Sequence, residues 1–78
     1  MNKQRRADLR KICDKLEHLR DDLDTIRGDE ENCLANMEGT ALEYTDNYQA
    51  AEQAHGSLEE AVEGLDGVLS SIEDAIAQ

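Results

Sequence analysis

The stretch LRKICDKLEHLRDDLDTIRGDEENCLANM, residues 9–37, decides the fold. Its apolar residues Leu9, Ile12, Leu16, Leu19, Leu23 and Ile26 alternate by three and four, and the pattern runs on through Glu30 to Cys33 and Met37. At 3.6 residues per turn that alternation keeps every such position on one face, which is the seam of a helix packed on another helix. Gly28 falls on the opposite face, so it weakens the helix by about 1 kcal/mol relative to alanine and leaves the seam unbroken. One helix is expected from Lys3 to Met37, with Gly28 as the place for a kink.

NMEGT, residues 36–40, then carries turn chemistry. Gly39 supplies the left-handed residue that ends a helix, and Thr40 with Glu43 has the spacing of a capping box for the next. A second helix is expected over residues 41–77, folding back antiparallel on the first. Ser57 and Glu60, just after Gly56, repeat the capping-box spacing and mark residue 56 as the place where that helix would break. Its apolar positions are Leu58, Ala61, Val62, Leu65, Val68, Leu69, Ile72, Ala75 and Ile76, a stripe too broad for one partner helix to cover. The first helix would bury one flank, and a second copy would bury the other through Leu58, Val62, Leu65, Leu69, Ile72 and Ile76. The expected architecture is all-α: one domain, residues 1–78, an antiparallel two-helix hairpin that dimerises into a four-helix bundle.

Composition agrees. The 78 residues include no Pro, Trp or Phe, and so short a chain builds a core worth only about 3–5 kcal/mol, which favours a partner chain. No apolar run approaches the roughly 18 residues of a membrane span, and MNKQRRADLRK lacks the apolar stretch of a signal peptide, so a cytoplasmic protein with no membrane partner is expected. Cys13 and Cys33, about 30 Å apart on one helix, cannot bridge each other and read as small, partly buried residues in a reducing compartment.

Charge is segregated. All eight basic residues lie in the first 27 positions beside six acids, whereas residues 28–78 hold thirteen acids and no base. An antiparallel hairpin would bring Arg5 and Arg6 near Glu73 and Asp74; otherwise cations at a helix N-terminus, disfavoured by its dipole, call for a bound anion. On the second helix Glu59, Glu63 and Asp66 repeat every three to four residues, flanked by Glu60, Glu73 and Asp74. Nine acids after residue 40 amount to one per roughly 6 Å of helix, and a dimer would bring that to about 3 Å, close to the 3.4 Å phosphate spacing of a DNA strand. Such a face repels nucleic acid and attracts the basic grooves that hold it.

Catalysis finds no support: there is no phosphate-binding loop, no CxxC pair and no nucleophile with a base beside it. His18 falls on the wet face. Glu52 and His55 have the E-x-x-H spacing of di-iron bundles, but only His55 points to the stripe, and Glu30 stands about 6 Å along the axis from Glu52. DDLD and GDEE fail the calcium-loop pattern at Ile26 and Arg27. No enzyme, metal or cofactor is expected. Tyr44 and Tyr48, one turn apart near the turn, read as core residues with wet hydroxyls, or, in the sharper alternative, as stacking walls for a planar ligand.

The stretches MNKQRRADLRKICDKLEHLRDDLDTI, NM within NMEGT, and YQAAEQAHGSLEEAVEGLDGVLSSIEDAI resemble a family of short acidic helical proteins encoded by phages, prophages and mobile elements of bacteria. The NK-x-RR start, with Asn36 and Met37 before the turn, is the most distinctive part; Glu38 stands where that family often has proline. The resemblance implies a phage or mobile-element origin and a bacterial host cell, and by analogy an inhibitor of host defence, as anti-CRISPR and nucleic-acid-mimic proteins are.

The function expected is therefore non-enzymatic: a homodimeric hairpin presenting Glu59, Glu60, Glu63, Asp66, Glu73 and Asp74 to the basic groove of a host defence or nucleic-acid-binding protein, without binding nucleic acid itself. The alternatives are an oligomeric sponge holding a small anionic nucleotide between Arg5, Arg6 or Arg10 and Tyr44 or Tyr48, and a plain oligomerisation or scaffolding module.

Overall fold

The computed structural model describes residues Met1–Gln78 as two long helices and a tight connection. Helix α1 runs over Lys3–Met37 without interruption at Gly28. Asn2 starts it: the extended backbone of this residue lets Oδ1 accept from the Arg5 N–H at 2.8 Å, satisfying one of the helix's free donors. At the other end Gly39 has φ 76°, the left-handed residue expected there.

The second helix begins later than its capping signal suggested. Residues Ala41–Tyr44 form one 3₁₀ turn, and helix α2 spans Asp46–Ala77. Thr40 and Glu43 do act as caps, but of the 3₁₀ turn: the Leu42 N–H donates to Thr40 Oγ1 at 3.1 Å, and the Gly39 N–H donates to Glu43 Oε2 at 3.0 Å. Thr45 then leaves the helical region at φ −93°, ψ 160°, and its hydroxyl accepts from the Tyr48 N–H at 3.3 Å. A second N-cap so close to the first stops the 3₁₀ turn from propagating into α2. Beyond it α2 continues through Gly56 and Ser57 with no break.

The helices pack antiparallel into a rod of 59 × 15 × 14 Å. Residues of α1 turned toward α2 include Leu9, Cys13, Leu16, Leu23, Leu34 and Met37, joined by the half-buried Arg20, Arg27 and Glu30. This seam shares Leu9, Leu16, Leu23, Glu30 and Met37 with the expected one but replaces its other members by residues one position further on. Ile12, Leu19, Ile26 and Cys33 are consequently exposed. The physical reason is that α2 sits on the flank of α1 that carries Arg20 and Arg27, whose side chains lie across the helix pair. On α2, Val62 and Leu69 are buried, and Leu58, Leu65, Ile72 and Ile76 are half-buried in the same seam. These six residues, expected to meet a second copy, serve the hairpin's own core. Only Cys13, Leu34, Val62 and Leu69 are buried, each keeping 6 to 9% of its surface exposed.

Candidate functional site

The rod has two unlike sides. One is charged and largely self-satisfied. Arg20 reaches across from α1, its Nε and Nη2 donating to Asp66 Oδ1 and Oδ2 at 2.9 and 3.2 Å, with Asp21 and Asp24 at 3.4 and 4.0 Å from Nη1. About two turns further on, Arg27 donates from Nε to Asp24 at 2.7 Å and from Nη1 to Glu31 at 2.9 Å. The bond from Arg27, and then the charge of Arg20, hold the Asp24 carboxyl below its ordinary range, while Asp66 raises the Arg20 guanidinium above its own.

His55 stands over Arg27, with its Nε2 3.4 Å from Nη1. Glu52 is exposed, so the E-x-x-H pair does not converge on one point, and no three His, Cys, Asp or Glu side chains are grouped to hold a metal ion.

Toward the open end, Arg10, Cys13, Glu17, Glu73 and Ile76 line a shallow groove. Burial, and then Glu73, Glu17 and Asp14, push the Cys13 thiol up. Arg6 does not pair with Glu73 or Asp74. Its Nη2 donates to the Gln78 backbone carbonyl at the end of α2, where the helix dipole favours a cation, while its buried Nε has no partner. Arg5 makes no ion pair either. The expected pairing of Arg5 and Arg6 with Glu73 and Asp74 is thus replaced by one contact to the helix end and by the Arg20–Asp66 bridge nearer the middle of the rod.

The acidic residues of α2 divide accordingly. Asp66 is committed to Arg20, and Glu73 lies in the groove beside Arg10. Glu59, Glu60, Glu63 and Asp74 are exposed and form no ion pair, giving an open acidic band over roughly 22 Å of continuous helix.

Tyr44 and Tyr48 part company: Tyr44, in the 3₁₀ turn, is 87% exposed, whereas Tyr48 is half-buried and its phenol is pushed up by burial and then by Glu38, Glu52 and Glu43. Both lie at the turn, and Arg5, Arg6 and Arg10 lie at the far end of the 59 Å rod, so a single hairpin brings no arginine of that cluster to a tyrosine.

The other side of the rod is apolar. Ile12, Leu19 and Ile26 of α1 and Val68 of α2 are 46 to 60% exposed on it, beside a groove lined by Leu9, Gly64, Val68 and Ala75. Periodicity alone does not reveal this surface, because a single seam accounts for Leu9, Ile12, Leu16, Leu19, Leu23 and Ile26 of α1. Its signal was present in the double use of Leu9, Leu16 and Leu23, which belong to two overlapping heptad stripes.

No helix is long and apolar enough to cross a membrane. No protein-family model, curated protein or solved structure matches the chain.

Proposed function

We propose that the protein is a non-enzymatic inhibitor of phage or mobile-element origin, which acts as a homodimeric four-helix bundle in the cytoplasm of a bacterial host. Its target is the basic groove of a defence or other nucleic-acid-binding protein, entered by the acidic band of α2. The observation that carries this reading is the open row Glu59, Glu60, Glu63 and Asp74: four carboxylates on one rigid helix, with no cation of the chain paired to them. A fixed array of like charge has already been ordered before binding, so it meets a basic groove at a smaller entropic penalty than a flexible acidic tail. Attraction between these carboxylates and a basic groove acts between solvent-exposed charges that salt screens, which makes binding salt-sensitive.

The test uses the tagged chain to capture protein from bacterial lysate. A nucleic-acid-binding protein that is released by duplex DNA and by raised NaCl, and that is lost when Glu59, Glu63 and Asp74 are changed together to lysine, is the expected result. Asp66 is left in place because its loss would unbalance Arg20. Undiminished capture by the folded triple variant would refute the reading.

A further inference from the structure

Ile12, Leu19 and Ile26 repeat every seven residues of α1 and are 46, 60 and 53% exposed. Beside them α2 presents an uncharged stripe spaced by four and three: Ser57, Ala61, Gly64, Val68, Ser71 and Ala75. The two stripes share one side of the hairpin, since Leu9 closes a groove with Gly64, Val68 and Ala75. The Arg20–Asp66 bridge and the groove of Arg10 and Glu73 occupy the opposite side.

The hairpin exposes more surface than a compact chain of its mass. A compact monomer of 8.7 kDa exposes about 4,700 Å² by the scaling of surface with mass, whereas the hairpin exposes 5664 Å². The excess, roughly 900 Å², is close to the share of about 800 Å² that each partner contributes to an interface of standard size. A hairpin with four buried residues also has a small core, which a partner chain would enlarge.

We infer that a second copy of the chain covers this face, set antiparallel so that the turn of each hairpin lies beside the open end of the other, about a twofold axis passing near Leu19 and Gly64. The inference deepens the dimer named above and is independent of the acidic target.

Charge selects the orientation. Residues 20–63, on the turn side of Leu19 and Gly64, hold thirteen acids and two arginines, a net of −11; residues 1–18 and 65–78, on the open side, hold six acids and six bases, a net of 0. Turn against turn would join two halves of −11, and turn against open end joins −11 to 0. The antiparallel register also uses charges that the hairpin leaves unpaired. With Leu19 on the axis, Ile12 meets the partner's Ile26, and Lys15, next to this stripe, comes within one residue of the level of the partner's Asp22; neither Lys15 nor Asp22 has an ion pair within its own chain.

The α2 stripe obeys the same symmetry. Because Arg20 bonds Asp66, Leu19 and Gly64 lie within about one helical turn of a common level. Gly64 then meets the partner's Gly64, and Ser57 meets the partner's Ser71. Small residues let the two α2 helices approach to about 8 Å, while Ile12, Leu19 and Ile26 fill the wider gap of about 10 Å between the α1 helices. An isologous interface requires each contact to occur twice, and both stripes meet that condition.

The experiment uses the purified full chain with no other protein, so it does not depend on the acidic band finding a target. Sedimentation equilibrium is expected to give twice the chain mass of 8.7 kDa. Leu19→Cys in a Cys33→Ser background, oxidised with diamide, is expected to run as a covalent dimer on a non-reducing gel; Leu19 is exposed in the hairpin, so the substitution does not disturb its core. Lys15→Asp is expected to weaken the dimer about tenfold or more, and Asp22→Lys in the same chain to restore it. A monomer at about 100 μM overturns the inference, since interfaces of this size hold at micromolar concentration or below. A dimer in which Leu19→Cys fails to cross-link and the charge swap fails to rescue overturns the antiparallel arrangement.

Discussion

Arg20 braces the hairpin from the side, its guanidinium donating to both carboxylate oxygens of Asp66 across 46 residues of sequence. It is the one ion pair that joins α1 to α2; the other pairs of Arg20 and Arg27 lie within α1. The fork of two parallel bonds fixes the rotation of one helix against the other more tightly than a point charge would. Arg20→Ala is therefore expected to lower the melting temperature by a few degrees, and Arg20→Lys to recover part of that loss. The loss should shrink between about 10 mM and 500 mM NaCl, because the pair is partly open to solvent. Circular dichroism melts at the two salt concentrations check it.

Leu69 and Leu42 have the same side chain in opposite circumstances, 8% and 54% exposed. Leu69→Ala removes buried methyl groups and leaves a cavity, a loss of about 2–4 kcal/mol. Set against a core worth about 3–5 kcal/mol, that is enough to leave much of the chain unfolded at 37 °C. Leu42→Ala is expected to change stability by no more than about 0.5 kcal/mol. Urea titrations of the two variants give the comparison directly.

Thr45 decides where α2 begins, and its replacement has a sign that separates two starting points. If the helix ran from residue 41, Thr45 would be in its interior, and Thr45→Ala would stabilise it through higher helix propensity. With Thr45 as the N-cap accepting from the Tyr48 N–H, Thr45→Ala instead costs about 1 kcal/mol. A fall in the urea midpoint with an unchanged slope is the expected result.

The hairpin itself was legible in residues 9–37 and in Gly39, because heptad spacing and a left-handed glycine are local signals. What periodicity left open was the rotation of α1. Leu9, Leu16 and Leu23 belong equally to a stripe through Ile12, Leu19 and Ile26 and to one through Cys13, Arg20 and Arg27. An aliphatic reading prefers the first; the structure gives α2 the second, because Asp66 and His55 stand ready on α2 to receive two arginines. That choice depends on pairing across the helices, which no single-helix pattern contains. The same holds for the acidic band. Its charges were plain in the composition, but the withdrawal of Asp66 into a bridge became visible only with α1 alongside. The start of α2 differs from expectation for another reason: Thr40 with Glu43 is a genuine capping pattern, and Thr45 followed by Asp46 is an equally good local signal, so local sequence does not rank the two.

Stability should fall at both ends of the pH scale for different residues. The Arg27 bond holds the folded Asp24 carboxyl below its ordinary 3.8, with Arg20 adding to the effect. A group depressed in the folded state stabilises fully above its unfolded value and loses that contribution as pH falls through the folded one, so the Asp24 contribution is lost below about pH 4. Cys13 behaves in the opposite sense. Burial first, then Glu73, Glu17 and Asp14, raise its thiol above the ordinary 9.0, so its contribution is complete below that value and is lost as pH rises through the folded one. Comparison with variants isolates each limb. The melting-temperature difference between the native chain and Asp24→Asn should stay level from about pH 7 to pH 5 and close below about pH 4, and that between the native chain and Cys13→Ala should change only above about pH 9. Differences that drift through the neutral range would mean that neither group titrates as its surroundings require.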